Sequence, residues 1–355
     1  MRKPTLHDVA AEAGVSYATA DRVLNKRGGV AKKSQSRVEA AIAKLGYQRD
    51  ITAANLSRRR LYRFHVLLPN AAGGFFASLR QLLSEQEEVQ RKARQAITIT
   101  PVPPFDPKAL ALEIDRAVGA GCDGLCVVAV NHPEVSAALG RARAQSIPVV
   151  TLVADSAEGD RDCYVGIDNC TAGRTAADLI LLSHRRHAQR GLILPVMGSL
   201  QARDHAERYA GFCEVVADQM DVLPPLETGD DPTRLNQLLT AALAAEPGIT
   251  GLYNLGAGVP GLIAALDHRG NDNIAGRPVV VSHELCDATR KAVADGLIDA
   301  VIDQKPAQEL SQALAALTAL SDGLALDPTA GQITPAVHFK HNMPPQPAAG
   351  PNKGA

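Results

Sequence analysis

TLHDVAAEAGVSYATADRVLNKRGG, residues 5–29, decides how the first part of this 355-residue chain folds. Leu6, Val9 and Ala10 fall on one face of a helix that Thr5 can cap, and Gly14 allows the tight turn that ends it. The chain restarts at once. Ser16 can cap a second helix in which Ala20, Val23 and Leu24 face inward, leaving Tyr17, Ala18, Asp21 and Arg22 outside. This pattern predicts a helix-turn-helix whose second helix reads DNA. Working outward, SQSRVEAAIAKLGY at 34–47 repeats Val38, Ala41, Ile42 and Leu45 at helical spacing and closes a core that two helices could not enclose. Ser34 is expected to cap this third helix and Gly46 to end it. AANLSRRR at 53–60 follows as a short basic arm.

Charge supports that reading. Residues 1–60 hold thirteen Lys and Arg against five acids, while the remaining chain holds twenty-four against thirty-three. A formal net charge of −1 thus conceals a basic head on an acidic body, and a basic segment suits phosphate contact.

The 5–29 segment and the AANLSRRR arm together resemble the LacI family of bacterial transcriptional regulators, and the resemblance extends over essentially the whole chain. It implies that the arms of two protomers pair and that Leu56 enters the minor groove at the operator centre, an apolar wedge that kinks DNA by unstacking a base step. It also implies Tyr17 and Ala18 at base edges, Arg22 in bidentate contact with a guanine, and Thr19 and Asn25 on phosphates. Chemistry agrees best at Arg22, whose planar fork fits guanine O6 and N7. Thr5, Ser16 and Arg58 complete the candidate DNA-facing set. Asp21 departs from the pattern, because many relatives carry Ser there. Its carboxylate can accept from a cytosine amino group or pair with Arg22 or Lys26.

Beyond the arm, short apolar strands alternate with helix-length amphipathic stretches. FHVLLP (64–69), AITITPVP (96–103), GLCVVAV (124–130) and IPVVTLV (147–153) are separated by helices expected around 75–95, 107–119 and 133–145. YVGID (164–168), RGLILPVMG (190–198), a strand near 222–227, GITGLYNL (248–255), PVVVSHE (278–284), AVIDQ (300–304) and a strand near 333–339 continue the pattern. Helices around 171–184, 202–219, 231–245, 260–268, 287–295 and 307–320 lie between them. Such alternation predicts βαβ units and largely parallel sheets.

The expected fold class is therefore an all-α helix-turn-helix head plus an α/β effector domain of two doubly wound parallel-sheet lobes, similar to type I periplasmic binding proteins. The expected domains are a head at 1–48, a hinge helix and linker at 49–61, and an effector domain at 62–340. Within the last, the N-lobe takes about 62–163 and 305–323, and the C-lobe about 164–303 and 333–340. The resemblance implies lobe crossings near 160–168, 303–306 and 324–334. Residues 341–355, rich in Pro, Ala and Gly, are expected to form a disordered tail. Without leucine heptads there, a homodimer is expected rather than a coiled-coil tetramer.

Two lobes imply a cleft lined at the carboxyl ends of strands. Phe75 and Phe76 follow the first strand in a chain with few aromatics, and aromatic faces stack on sugar rings. Asn131, Asp155, Arg203, His205, Asn254, Glu284 and Gln304 follow other strands. Amides, carboxylates and an arginine converging on one cleft suit a sugar or cyclitol, whose hydroxyls both donate and accept. Glu284 and Gln304 also match the acid and amide of ribose-type binders, whereas Val153, Ala154 and Asp155 stand where such binders usually carry an Asp-Arg pair. The family's pattern around Arg208 implies a supporting role for that residue.

Catalytic signals are weak. Gly256, Gly258 and Gly261 spell GxGxxG after a strand, yet late in the chain, with Pro260 in the first helical turn and no acid at the expected distance. His283-Glu284 lacks the second histidine of HExxH, and no GxSxG is present. Six cysteines, at 122, 126, 163, 170, 213 and 286, show no paired CxxC spacing. No apolar run approaches the roughly 20 residues of a membrane span, and the N-terminus does not read as a secretory signal. The expectation is a cytoplasmic, sequence-specific regulator, a repressor without cofactor or metal, bound to operator DNA and to a sugar or cyclitol. The competing readings are a solute-binding module of sugar uptake or chemoreception and a nucleotide-dependent enzyme fused to a DNA-binding head.

Overall fold

The computed structural model describes residues 4–24, 28–47, 60–70, 74–184, 190–256, 258–267 and 277–345. The chain divides into two compact units, 1–60 and 61–355.

In the first unit α1 (Leu6–Ala13), α2 (Tyr17–Leu24) and α3 (Lys32–Leu45) enclose a small core of Val9, Ala10, Ala13, Ala20, Val38 and Ala41. Thr5 and Asp8 form a reciprocal capping box: the Asp8 amide donates to Thr5 Oγ1 at 3.3 Å, and the Thr5 amide donates to Asp8 Oδ2 at 2.7 Å. Gly14 closes α1 in the left-handed region at φ 59, and the Thr19 amide donates to Ser16 Oγ at 3.1 Å. The expectation for Ser34 is corrected. Helix α3 starts three residues earlier, with Ala31 at the N-cap and no side-chain cap. It is held from outside instead, since Arg37 donates to the Gly14 carbonyl at 3.1 Å and Lys44 pairs with Glu12 at 2.6 Å.

The second unit holds two sheets. The first has the order β12-β5-β4-β3-β1-β2, with β1 Tyr62–Pro69, β2 Gln95–Val102, β3 Gly124–Val127, β4 Val149–Leu152, β5 Cys163–Ile167 and β12 Gln332–Ile333, all parallel. Around it lie α4 (Gly74–Glu85), α5 (Glu87–Lys92), α6 (Pro107–Gly119), α7 (Pro133–Ala144) and α13 (Pro306–Ser321). One face buries Phe64, Val66, Leu68 and Leu79 against Leu310, Leu314 and Leu317 of α13; the other buries Leu67, Leu110, Ile114, Leu125 and Leu139. A single helix expected around 75–95 is broken at Gln86. Buried Gln90 donates to the Leu83 carbonyl, which gives the end of α4 a partner and lets α5 restart with Glu87 and Glu88 in its first turn.

The second sheet has the order β13-β11-β10-β9-β6-β7, with β6 Leu192–Met197, β7 Asp221–Val222, β9 Ile249–Asn254, β10 Val279–His283, β11 Ala300–Asp303 and β13 Ala336–His338. β8 (Leu226–Glu227) pairs with β6 off this path, and β13 alone runs antiparallel to its neighbour. The helices here are α8 (Asn169–His184), α9 (Arg203–Val216), α10 (Pro232–Ala245), α11 (Val259–Asp267) and α12 (Asp287–Ala294).

The lobe ranges shift although the crossings fall near their expected places. Strand β5 carries the first lobe to Ile167 instead of 163, within the crossing expected near 160–168, and β12 keeps Gln332 and Ile333 in the first lobe, so the second lobe resumes at β13 instead of at 333 and the last crossing falls at the end of the expected 324–334. The middle crossing lies between β11 and α13. The start of the tail also shifts. Residues 341–345 pack on the body: Arg290 donates to the Pro344 carbonyl at 2.6 Å, Asn342 accepts from the Phe339 amide, and Met343 packs against the second-lobe core. Among the described residues no helix is long and apolar enough to cross a membrane.

Candidate effector cleft and operator-reading helix

In the first sheet the chain passes from β1 to β2 on one side and to β3 on the other, which is the reversal point where open α/β sheets leave a crevice. A cleft of about 710 Å³, its open mouth included, lies there. Its first-lobe wall comes from the ends of β1 (Leu67, Leu68, Pro69), β2 (Val102 to Phe105), β3 (Val128 to Val130) and β4 (Val153, Ala154), with Phe76 and Leu110 from α4 and α6. The second-lobe wall comes from Ala202 and the α9 residues Asp204 and His205, with Asp230 after β8, Gly256 after β9 and Glu284 after β10.

Of the nine residues expected from sequence to meet an effector, Phe76, His205 and Glu284 line this cleft. Phe75 sits in the adjoining recess, edge-on to Phe76 with ring centroids 5.5 Å apart, and otherwise belongs to the first-lobe core. The other five do not line it. Asn131 is exposed before the His132 cap of α7. Asp155 is occupied by Arg161, by Thr151 and by the Ser156 amide. Arg203 pairs with Glu207 at 2.7 Å and donates to the Ser156 carbonyl. Asn254 donates to Ser282 Oγ at 3.2 Å within the second lobe, and Gln304 accepts from Arg208. A strand end places a residue near a cleft; whether its side chain meets local partners first depends on the neighbouring loop.

Sequence reasoning missed Asp204 and Asp230. Their neighbourhood carries a backbone signal that no spacing rule shows. Seven non-glycine residues among those described have left-handed φ, and four of them, Phe105, Val153, Asp230 and Glu284, line the cleft. Such conformations are costly for L-residues and persist where the surroundings over-determine them.

Burial pushes the Glu284 carboxyl up to about 8; Arg208 opposes this, and Asp230 and Asp204 add to it. Glu284 is therefore mostly protonated at neutral pH and can donate as well as accept. Burial also raises Asp230, one of whose oxygens has no protein partner. His205 Nδ1 accepts from the Ser199 amide at 3.4 Å, which leaves Nε2 to carry the proton on the side of Asp204.

Behind the polar wall stands Arg208, 1% exposed. It donates to Asn169 Oδ1 at 2.8 Å, to the Leu255 carbonyl at 2.7 Å and to Gln304 Oε1 at 2.9 Å. It thus ties α8, the turn after β9 and the middle crossing together. Two glycines bring α9 against α8: a Cβ on Gly173 would lie 2.0 Å from the Arg208 carbonyl oxygen, and one on Gly211 2.2 Å from that of Cys170. The GxGxxG glycines have similar duties. Gly256 (φ 122) and Gly258 (φ 50) turn the chain, and a Cβ on Gly261 would lie 2.0 Å from the Pro232 carbonyl oxygen. All six cysteines are free, and among the described residues no His, Cys, Asp and Glu group is placed to hold a metal.

On the head, Tyr17 is 47% exposed with its ring 4.5 Å from that of His7, and Ala18 and Arg22 are exposed. Thr19 and Asp21 are half-buried. The oxygens of Thr5 and Ser16 are engaged in capping. Asn25, Leu56 and Arg58 lie outside the described residues.

A basic three-helix head joined to a two-lobed body with a cleft at its strand ends defines a class: a ligand-binding α/β module carrying a helix-turn-helix. The chain belongs to the periplasmic binding protein domain family, which it matches over residues 64–325, and its residues 5–50 match the bacterial regulatory proteins, lacI family. It is similar to the transcriptional regulator MalR of Streptomyces coelicolor (28% identical over 61% of this chain and 60% of MalR) and to the maltose regulon regulatory protein MalI of Escherichia coli (31% identical over 60% of this chain and 59% of MalI). These alignments thus span about six tenths of each relative. In fold it resembles an ABC-transporter solute-binding protein of Burkholderia graminis in complex with D-arabinose, with TM-score 0.71 at 23% identity over 79% of this chain and 96% of that one. It also resembles GanP, a glucose-galactose binding protein of Geobacillus stearothermophilus, with TM-score 0.70 at 17% identity over 80% and 99%.

Proposed function

We propose that this protein is an effector-controlled DNA-binding transcriptional regulator, a repressor acting as a homodimer. The observation that carries the reading is the pairing in one chain of a lacI-type head, with Tyr17, Ala18 and Arg22 on the open face of α2, and a two-lobed body with a partly polar cleft. Two heads meet successive major-groove half-sites, with Arg22 reading a guanine and the Leu56 arms at the operator centre. The effector is a small polyhydroxylated compound, a sugar or cyclitol, held by Asp204, His205, Asp230 and Glu284. Its differential affinity for two lobe arrangements biases the dimer towards or away from the DNA-competent state.

The head favours this reading over that of an uptake module. Selection of an operator from random duplexes, followed by shift assays and melting curves with a sugar and cyclitol panel, tests both halves. A compound that raises the melting temperature and changes operator affinity supports the proposal. No sequence preference in the selection overturns its DNA half, and stabilisation by NAD or NADP with none by the panel overturns its sensor half.

A further inference from the structure

The two lobes also meet through side chains that do not line the cleft. After β4 the chain passes Val153, in the left-handed region at φ 67, and turns through Asp155 and Ser156. Four donors converge on the buried Asp155 carboxylate: Thr151 Oγ1 at 2.6 Å, the Ser156 amide at 2.9 Å, and Arg161 through Nε at 2.5 Å and Nη2 at 2.8 Å. They fix the turn, and the Ser156 carbonyl with it. From the second lobe Arg203, the first residue of α9, donates through Nη1 to this carbonyl and through Nε to Glu207 Oε1 at 2.7 Å, one turn further along the same helix. Glu207 thus aims the guanidinium across to the first lobe.

We propose that Arg203 is a strap that holds the lobes closed. Its bond to the Ser156 carbonyl joins one lobe to the other and exists only while they are together, so its free energy belongs to the closed arrangement alone. Both partners are parts of the chain, and the strap therefore acts whether or not a ligand is bound. Arg203 bonds none of the residues proposed to hold the effector, so it sets how readily the lobes part without setting what they bind. The strap is independent of the effector's identity; its consequence for DNA binding rests on the effector control proposed above.

A second contact between the lobes supplies the measurement. At the start of α4, which follows β1 and is separated from the β4 turn by β3 in the sheet order, the Phe75 amide donates to the Glu284 carboxyl, and a Cβ on Gly74 would lie 4.0 Å from Glu284 Oε2. A first-turn amide has no acceptor in its own helix, so protection of the Phe75 amide reports that the lobes are together. Hydrogen exchange at that amide is followed by mass spectrometry in the full chain and in Arg203→Met, which keeps the stem and removes every donor. We expect the variant to exchange there about fivefold faster, the weight of one charge-assisted bond at a partly exposed site, with the melting temperature of the body little changed. If that variant does not fold, Glu207→Ala, which removes only the aim, is expected to give about a twofold acceleration. Unchanged exchange at Phe75, exchange in the unaltered chain as fast as in an unfolded peptide, or an acceleration spread evenly over the core strands overturns the strap. Shift assays on the selected operator accompany these measurements. A changed operator affinity in Arg203→Met supports the strap as part of the control, whereas faster exchange at Phe75 with operator affinity unchanged keeps the strap and overturns control through lobe closure.

Discussion

Arg22 and Glu284 show how differently single residues declare their work. Arg22 is legible because its chemistry is self-contained: an exposed guanidinium on the outer face of α2 can read a guanine whatever the body does. We expect Arg22→Ala to lower operator affinity by about 1–3 kcal/mol, and to flatten discrimination at one base pair, with the melting temperature unchanged. Shift assays on an operator and its point variants check this. Glu284 is legible only as a position. Its protonation depends on burial beside Asp230, Asp204 and Arg208, drawn from separated parts of the chain. Because its folded value, about 8, lies above its ordinary one, the folded protein holds the extra proton through neutral pH, and that stabilisation is lost as pH rises towards 8. Asp230 and Glu309, a buried residue in the first turn of α13, are also raised by burial and act in the same direction, while His283, held neutral by burial, matters only as pH falls through the ordinary histidine range. Between pH 6.5 and 8 we expect stability to fall by on the order of 1–2 kcal/mol through Glu284 and to fall less steeply in Glu284→Gln, as read by urea denaturation at each pH.

Among the elements, the pair α8 and α9 decides where the polar wall stands. Its close approach depends on Gly173 and Gly211, where an added methyl would meet a backbone carbonyl of the opposite helix. Gly211→Ala should therefore destabilise the body by about 1–3 kcal/mol through overpacking, and loosen Arg208 with it. Equilibrium unfolding should show that loss, and calorimetry should show weaker effector binding. In the head, Thr5→Ala removes one half of the capping box and should cost about 1 kcal/mol, seen as a lower melting temperature of the head signal and weaker operator binding. Strand and helix identity were legible in most places because apolar period and capping residues are local. The break between α4 and α5 and the early start of α3 were not. Arg37 reaching the Gly14 carbonyl is a contact 23 residues along the chain, outside any helix-length window, while Gln90 reaching the Leu83 carbonyl is a side-chain direction that apolar spacing does not encode.

At the scale of the whole molecule, charge is unevenly divided: an excess of eight basic residues lies in 1–60, and an excess of nine acidic residues in the remainder. Operator binding should be strongly salt-dependent. If two heads together neutralise six to ten phosphates, affinity should drop by about 10³–10⁵ between 50 and 200 mM salt, measured as the slope of log affinity against log salt. A shallow slope would count against head-first docking.

The amino-acid sequence by itself determined the helix-turn-helix, the two runs of βαβ units, the turn glycines and the charge division, because each rests on neighbours a few residues apart or on simple composition. Only the tertiary structure decided which strand-end residues face the cleft. Asp155, Arg203, Asn254 and Gln304 were claimed by partners in their own surroundings, while Asp204 and Asp230 were brought in beside Glu284. It also decided that β5 and β12 stay with the first sheet and that the first-lobe side chains lining the cleft are apolar. The physical reason is common to all three. Side-chain direction, burial and the competition for hydrogen-bond partners are set by contacts between segments far apart in the chain, and no local pattern encodes them.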